Sequence, residues 1–426
     1  MADLDLAFVR GQFPAFSEAA LQDTCFFENA GGSYMCRQVM ERLESYYRRC
    51  KVQPYYPNPV SLRAGAMMDE AYGALAAWMN VGPDEIYFGP STSQNACVLA
   101  QAALGWLRPG DEIVVTNQDH EANSGAWRRL ERQGVAVREW RMDPETGELP
   151  VARLPELFSK QTRLLAFPHC SNILGERNPV AEICALAREH GVRTVVDGVS
   201  FAGHGLPDVR GLGADVYLFS LYKVYGPHQG VMVIAPDMAE LLAGQGHFFN
   251  AGVREKRLTP AGPDHAQIAA VKGVGDYFEA LYRHHFADSG TGDPGIGDAG
   301  TGDAGDAPAA RKAEAVRDLL HRAEAPVLGA LLDYLAAHAR VRVVGPTDPE
   351  RRSPTVSVRP EGKSPWELAE RLGERGILCG AGHFYSVRLL EALGIDPAVG
   401  VLRFSLVHYT SREDVERLIA ALDDVL

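Results

Sequence analysis

The segment from Val192 to Ile234 constrains the chain most. Three apolar runs follow one another at short intervals: Val192–Val196, Ala214–Phe219 and Val231–Ile234. Each is too short for a stable helix and is bounded by turn residues, so each reads as a buried strand. The first run ends in Asp197. The second ends in Ser220-Leu221-Tyr222-Lys223, and Gly226-Pro227 then break the chain before the third. In an open α/β sheet, residues at the carboxyl ends of the strands line a common crevice. The segment is therefore built to bring a carboxylate and an amine to one place.

That pair has a specific chemical use. Pyridoxal phosphate needs a lysine amine for the Schiff base with its aldehyde. It also needs a carboxylate to keep its pyridine nitrogen protonated, so that the ring accepts electrons. A single Lys after a strand is ordinarily a solvated charge, and a single Asp there is ordinarily a helix cap. The reading rests on further residues appearing in a consistent order.

Strand and helix signals alternate from residue 66 to residue 234. Helical periodicity covers 66–79, and strands are expected at 85–88, 112–116, 134–141 and 163–168. This alternation implies a parallel or mixed sheet with helices on both faces. Residues 1–28 read as an arm with a short helix, and 46–59 as an irregular loop rich in Tyr and Pro. A helix at 309–338, strands at 341–344, 355–358 and 401–407, and helices at 365–375 and 411–425 suggest a smaller α/β unit. Between the two lies Asp288–Pro308, acidic and rich in glycine, which can bury almost nothing and is expected to be disordered. The expected division is an arm at 1–30, a large domain at 31–285, an insert at 286–309 and a small domain at 310–426.

Bulk properties narrow the classes. A chain of 426 residues can bury a large core. Its formal net charge of -13 argues against nucleic acid as a partner. No apolar run approaches a membrane span, and the first ten residues show no secretory pattern. Seven cysteines at scattered spacings, without C-x-x-C, fit reduced thiols in a cytoplasm.

Several motifs carry candidate site residues. Phe27-Glu28-Asn29-Ala30-Gly31-Gly32 suits a tight turn near a ligand. Gly89-Pro90-Ser91-Thr92-Ser93 opens an apolar helix. Small hydroxyl residues there are ordinary caps, yet the free N–H groups of a helix start also cradle phosphate. After the strand at 112–116 comes Asn117-Gln118-Asp119-His120-Glu121-Ala122-Asn123. After the strand at 163–168 comes His169-Cys170-Ser171-Asn172-Ile173-Leu174-Gly175. Near the C-terminus stand Gly380-Ala381-Gly382-His383-Phe384-Tyr385-Ser386 and Val401-Leu402-Arg403-Phe404-Ser405.

Taken together these motifs resemble the class V branch of the fold type I pyridoxal-phosphate enzymes, which includes cysteine desulfurases and selenocysteine lyases. The likeness spans roughly 25–285 and 310–425. It implies a fold type I transferase: a large domain with a mixed, mostly parallel seven-stranded sheet flanked by helices, plus a small C-terminal α/β domain. It implies Lys223 as the Schiff-base lysine, Asp197 at the pyridine nitrogen and His120 stacked on the ring, the three catalytic candidates. Thr92, Ser93, Ser220 and Tyr222 would contact the phosphate, although the family often has His at position 222. Asn172 would lie near the phenolic oxygen. Ser200 stands where the family often has Gln. Arg403 would grip a substrate carboxylate through two parallel hydrogen bonds. Asn29, His383 and Tyr385 would line the substrate side. A homodimer with sites at the subunit boundary is implied too, although Gly262-Pro263 replaces the family's Gly-Thr-Pro-like turn.

One departure bears on the reaction. The desulfurase branch carries a reactive Cys in an Arg-Thr-Gly-His-His-Cys-like loop, and here that place is Tyr385. Cys379 lies six residues earlier and reads as a small buried hydrophobe. Persulfide chemistry needs a thiolate at the substrate sulfur. The resemblance therefore implies work at Cα of an amino acid or amine, through an external aldimine and a quinonoid. β-Elimination or C–S lyase chemistry without a persulfide Cys leads, followed by transamination, then oxidation or decarboxylation. From another class, a non-catalytic scaffold that keeps the fold is the alternative.

Overall fold

The structure, a computed structural model, describes residues 3–250, 253, 256–287 and 308–426. Arg254 and nearly all of the acidic glycine-rich insert lie outside the described residues. Thirteen strands are seen among those described: β1 (Cys25–Phe26), β2 (Ile86–Gly89), β3 (Glu112–Thr116), β4 (Ala136–Trp140), β5 (Thr162–Pro168), β6 (Arg193–Asp197), β7 (Val216–Ser220), β8 (Gly230–Ile234), β9 (Val341–Val344), β10 (Thr355–Pro360), β11 (Ile377–Leu378), β12 (Gly380–Gly382) and β13 (Val401–Ser405).

Seven of them form one mixed sheet in the order β2-β8-β7-β6-β5-β3-β4. Pairing is parallel from β7 through β4, while β8 runs antiparallel to both its neighbours. The near-continuous apolar runs follow from burial on both faces. Val195, Val216 and Leu218 point to one face, with Leu99 and Trp127 from the helices Thr92–Ala103 and Glu121–Arg128. Val196, Tyr217 and Phe219 point to the other, with Leu75, Ile183 and Phe278 from Pro59–Trp78, Val180–Glu189 and Lys272–Tyr282. Alternate residues part to opposite faces because a strand repeats every two residues.

A second sheet, β12-β13-β10-β9, is antiparallel and gathers a separate core. The helices Ala309–Ala337, Pro365–Gly373 and Arg412–Val425 supply Leu332, Leu368 and Leu418 to it. The N-terminal segment joins this unit: β1 pairs in parallel with β11, and Cys25 and Phe27 are buried in its core.

The stretch expected to be an irregular loop at 46–59 is a loop at 50–58, with a helix running into it at one end and another starting at the other. The helix Arg37–Arg49 includes Tyr46, whose ring is buried, and a second helix begins at Pro59. Proline at the first helical position needs no N–H partner, and the Asn58 side chain caps it by accepting from Ser61 N at 2.9 Å. The Tyr and Pro composition thus marked the turn and concealed the helix ends beside it.

Candidate active site

Asp197 is the last residue of β6, and Ser220 is the last of adjacent β7. Leu221–Lys223 forms a short turn directly after Ser220. Lys223 therefore reaches the same end of the sheet as Asp197. Protein surrounds the Lys223 side chain, yet part of it stays open to solvent, as at the floor of a cleft. Its ammonium makes no hydrogen bond among the described residues and lies 5.9 Å from the centre of the Tyr222 ring. Burial, with the charge of Arg403, lowers its pKa to about 8 against the opposing pull of Asp197 and Glu28.

Asp197 is 5% exposed. One carboxylate oxygen accepts from Val199 N at 2.9 Å. Burial raises its pKa, while that hydrogen bond and Lys223 lower it. A second buried carboxyl, Asp119, is raised by burial and then by the charge of Asp197. Asp119 accepts from Asn123 Nδ2 at 2.6 Å and from His120 N at 2.9 Å. Its motif was visible in the sequence, but nothing there signalled that it shares a field with Asp197.

His120 caps the helix Glu121–Arg128, its Nδ1 accepting from Ala122 N at 3.0 Å. That bond assigns the proton to Nε2. Burial, and then the charges of Lys223 and Arg403, lower its pKa to about 3. His120 is accordingly a neutral ring with an Nε2–H. Its Nδ1 lone pair is engaged in the cap.

The helix Thr92–Ala103 starts beside β8, and Thr92 Oγ1 lies 2.7 Å from Ser220 Oγ. A Cβ on Gly230 would come within 2.5 Å of Thr92 N, so the close approach requires glycine. Ser93 is exposed on the first turn, and Ser200 is half-buried three residues after Asp197. The ring of Tyr222 stacks on His228 at 4.7 Å.

Two candidates have their side chains already engaged. Asn29 donates from Nδ2 to Ser405 O at 2.8 Å and accepts from the Tyr409 hydroxyl. Asn172 donates to Phe384 O at 2.9 Å and accepts from Ser386 Oγ at 2.7 Å. Both act as ties between segments. Asn172 holds the 383–386 loop, in which Phe384 and Tyr385 take left-handed φ of 45° and 59°. A non-glycine residue in that region carries strain that surrounding contacts must hold. This loop sets the exposed Tyr385 ring 5.4 Å from His120 and leaves His383 exposed.

Arg403 is buried on β13. Its Nη1 donates to Asn172 O at 3.2 Å, its Nη2 to Glu28 Oε1 at 2.9 Å, and the Phe384 ring covers its Cζ at 3.7 Å. Glu28 was quoted in its motif without a role. Its place in the site depends on a contact across 375 residues of chain.

The residues at this crevice fit pyridoxal phosphate. The structure provides a lysine at the cleft floor with no hydrogen bond among the described residues, a buried carboxylate one strand away, a neutral imidazole and a helix start held to the same sheet end. Large cavities of about 600 Å³ and 510 Å³ lie elsewhere, lined by residues such as Arg42 and Glu70 or Phe16 and Tyr409. The site is thus defined by its chemistry and not by volume.

Fold and crevice together describe a fold type I α/β enzyme scaffold. The chain belongs to the aminotransferase class-V family, whose model matches residues 25–252 and 315–418, a family that uses pyridoxal phosphate. It is 34% identical to the aminotransferase-like protein FGM3 of Gibberella zeae, over 98% of each chain. It is 32% identical to a Pseudomonas aeruginosa protein named "Probable cysteine desulfurase", over 97% of this chain and 96% of that one. A cysteine desulfurase structure from Thermococcus onnurineus shares the fold, with a TM-score of 0.83 at 21% identity, covering 100% of this chain and 99% of that chain. Among the described residues, no helix is long and apolar enough to cross a membrane.

Proposed function

We propose that this chain is a pyridoxal-phosphate enzyme acting at the amine-bearing carbon of a small amino acid or amine, by elimination of the C–S lyase type without an enzyme persulfide. The observation that carries this reading is Lys223, an amine with a lowered pKa and no hydrogen bond, one strand from Asp197. When bound, the cofactor supplies an electron sink for the carbon next to the substrate amine.

Asp197 would hold the ring nitrogen, and the His120 ring would lie against the cofactor. Thr92, Ser93, Ser220 and Tyr222 would hold the phosphate, aided by the helix-start N–H groups. Ser200 would stand at the remaining edge, as would Asn172 beside its tie to the 383–386 loop. Lys223, half neutral near pH 8, is suited to take a proton from the substrate carbon and return it. His120 contributes a neutral Nε2–H donor. The reading without a persulfide is supported by Tyr385 in the 383–386 loop and by Cys379. Burial, and then Glu28, push that thiol up to about 12, far from a reactive thiolate. Transamination is the second reading, favoured by the aminotransferase-like relative.

The homodimer belongs to this proposal. Tyr47, Tyr55, Tyr56 and Leu62 are exposed around the turn between Arg37–Arg49 and Pro59–Trp78, an apolar surface of the kind that partner subunits cover.

Colour is the first test. Purified protein is expected to absorb visible light, and Lys223→Ala to lose that band together with turnover, by about 10²- to 10⁴-fold for loss of a general base. Incubation with a panel of amino acids, followed by ketoacid, sulfide, ammonia and oxygen uptake, then separates the outcomes. A colourless protein that takes up no pyridoxal phosphate would support the scaffold alternative and end this reading.

A further inference from the structure

Arg403 is the cation expected to meet a substrate carboxylate, and the chain already supplies one. Glu28 is pinned through its backbone: it bridges in parallel to Ser405, and Ser405 N donates to Phe27 O at 2.7 Å. From there its side chain reaches the guanidinium.

The seat of this carboxylate is built. A Cβ on Gly31 would lie 2.5 Å from Glu28 Oε1, and one on Gly380 would lie 2.2 Å from Oε2. Neither glycine has a positive φ, so the backbone does not require glycine at either place. The space they leave is the space the carboxylate fills. Gly380 pairs directly with Arg403 across β12 and β13, which puts the seat against the guanidinium.

The rest of Arg403 is closed as well. Nη1 is held by Asn172 O and one face is covered by Phe384, while Nε, like Glu28 Oε2, is buried without a partner among the described residues. Glu28 thus already sets a carboxylate against the guanidinium at this place. A free substrate carboxylate arriving at Arg403 would come beside Glu28, as a second anion on one guanidinium. Repulsion built into a site selects partners as effectively as attraction.

We propose that Glu28 is a specificity-determining residue: it satisfies Arg403 from within the chain, so that the site takes primary amines whose amine-bearing carbon carries a neutral group, such as an amide or ester, in place of a free carboxylate. This rests on the pyridoxal-phosphate reading above and names its substrate class. In the substitution Glu28→Gln the seat remains filled while the charge is removed, which leaves Arg403 free to accept an incoming carboxylate.

The test uses holoprotein, accepted for titration only if it shows the lysine-dependent visible band. Each standard L-amino acid and its α-amide are titrated as a pair, with calorimetry and the visible spectrum as readouts. In the wild type the best amide is expected to bind at least about tenfold tighter than its parent acid, and Glu28→Gln to tighten the acid by at least about tenfold with the amide little changed. Glu28→Ala, checked by the same band and by melting temperature, serves where Glu28→Gln does not fold. Wild-type preference for the acids, equal affinity, or binding of neither series overturns the proposal, as does a Glu28 variant whose selectivity is unchanged. Absence of the visible band marks failure of the cofactor reading itself, which is a distinct result.

Discussion

At the scale of single residues, on the proposed reading, the ionisation of Lys223 would govern when the site can load. Only the neutral amine adds to an aldehyde. Its pKa is lowered to about 8, so the neutral fraction grows as pH rises through 8 and levels off above. The rate at which apoprotein recovers its visible band from added pyridoxal phosphate should follow that curve, falling about tenfold per pH unit on the acid side. Arg403 is part of the cause, and Arg403→Ala should move the midpoint upward. A loading rate flat from about pH 6 to 10 would mean that the amine is not held as the structure has it. The sequence singled out Lys223, Asp197 and His120 as candidates by their motifs. It did not show that His120 is neutral, because its tautomer depends on the Ala122 N–H and its pKa on burial and on charges from distant segments.

At the scale of elements, the start of the helix Thr92–Ala103 is held against β8 at van der Waals limits. Gly230→Ala would drive a methyl group into the backbone of Ser91 and Thr92. Relief requires the helix start to lift, which separates Thr92 from Ser220. The expected cost is about 1–3 kcal/mol of stability, as for other overpacked sites, with weaker phosphate binding. Thermal unfolding and cofactor titration of the variant measure both. Unchanged values for each would show that the helix start has more room than its contacts imply. All seven strands of the large sheet were legible as short runs, most clearly the inner ones, because burial on both faces leaves few polar residues. β1, β11 and β12 were not, since strands of two or three residues show no period.

At the scale of the whole molecule, the crevice draws on three parts of the chain: Glu28 and Asn29 near the N-terminus, the strand ends of the large sheet, and Arg403 with the 383–386 loop. The ties between them are Asn29 to Ser405, Asn172 to Phe384, and an ion pair from Arg388 to Glu121 at 3.4 Å. The exposed apolar residues at 47–62 set the expectation for assembly. Sedimentation should give twice the chain mass. Tyr56→Asp with Leu62→Asp should shift it toward the monomer with the visible band reduced. A wild type that sediments as a monomer at all concentrations would remove the dimer from the proposal.

The sequence alone determined which residues stand at the strand ends. Runs of apolar residues and the turn residues that stop them act over a few positions, and that reach is enough to set Asp197 and Lys223 at one edge. Tertiary structure decided how those groups are charged and what already occupies Arg403. Electrostatic fields and burial act through space, and Glu28 meets Arg403 only after 375 residues of chain have folded between them.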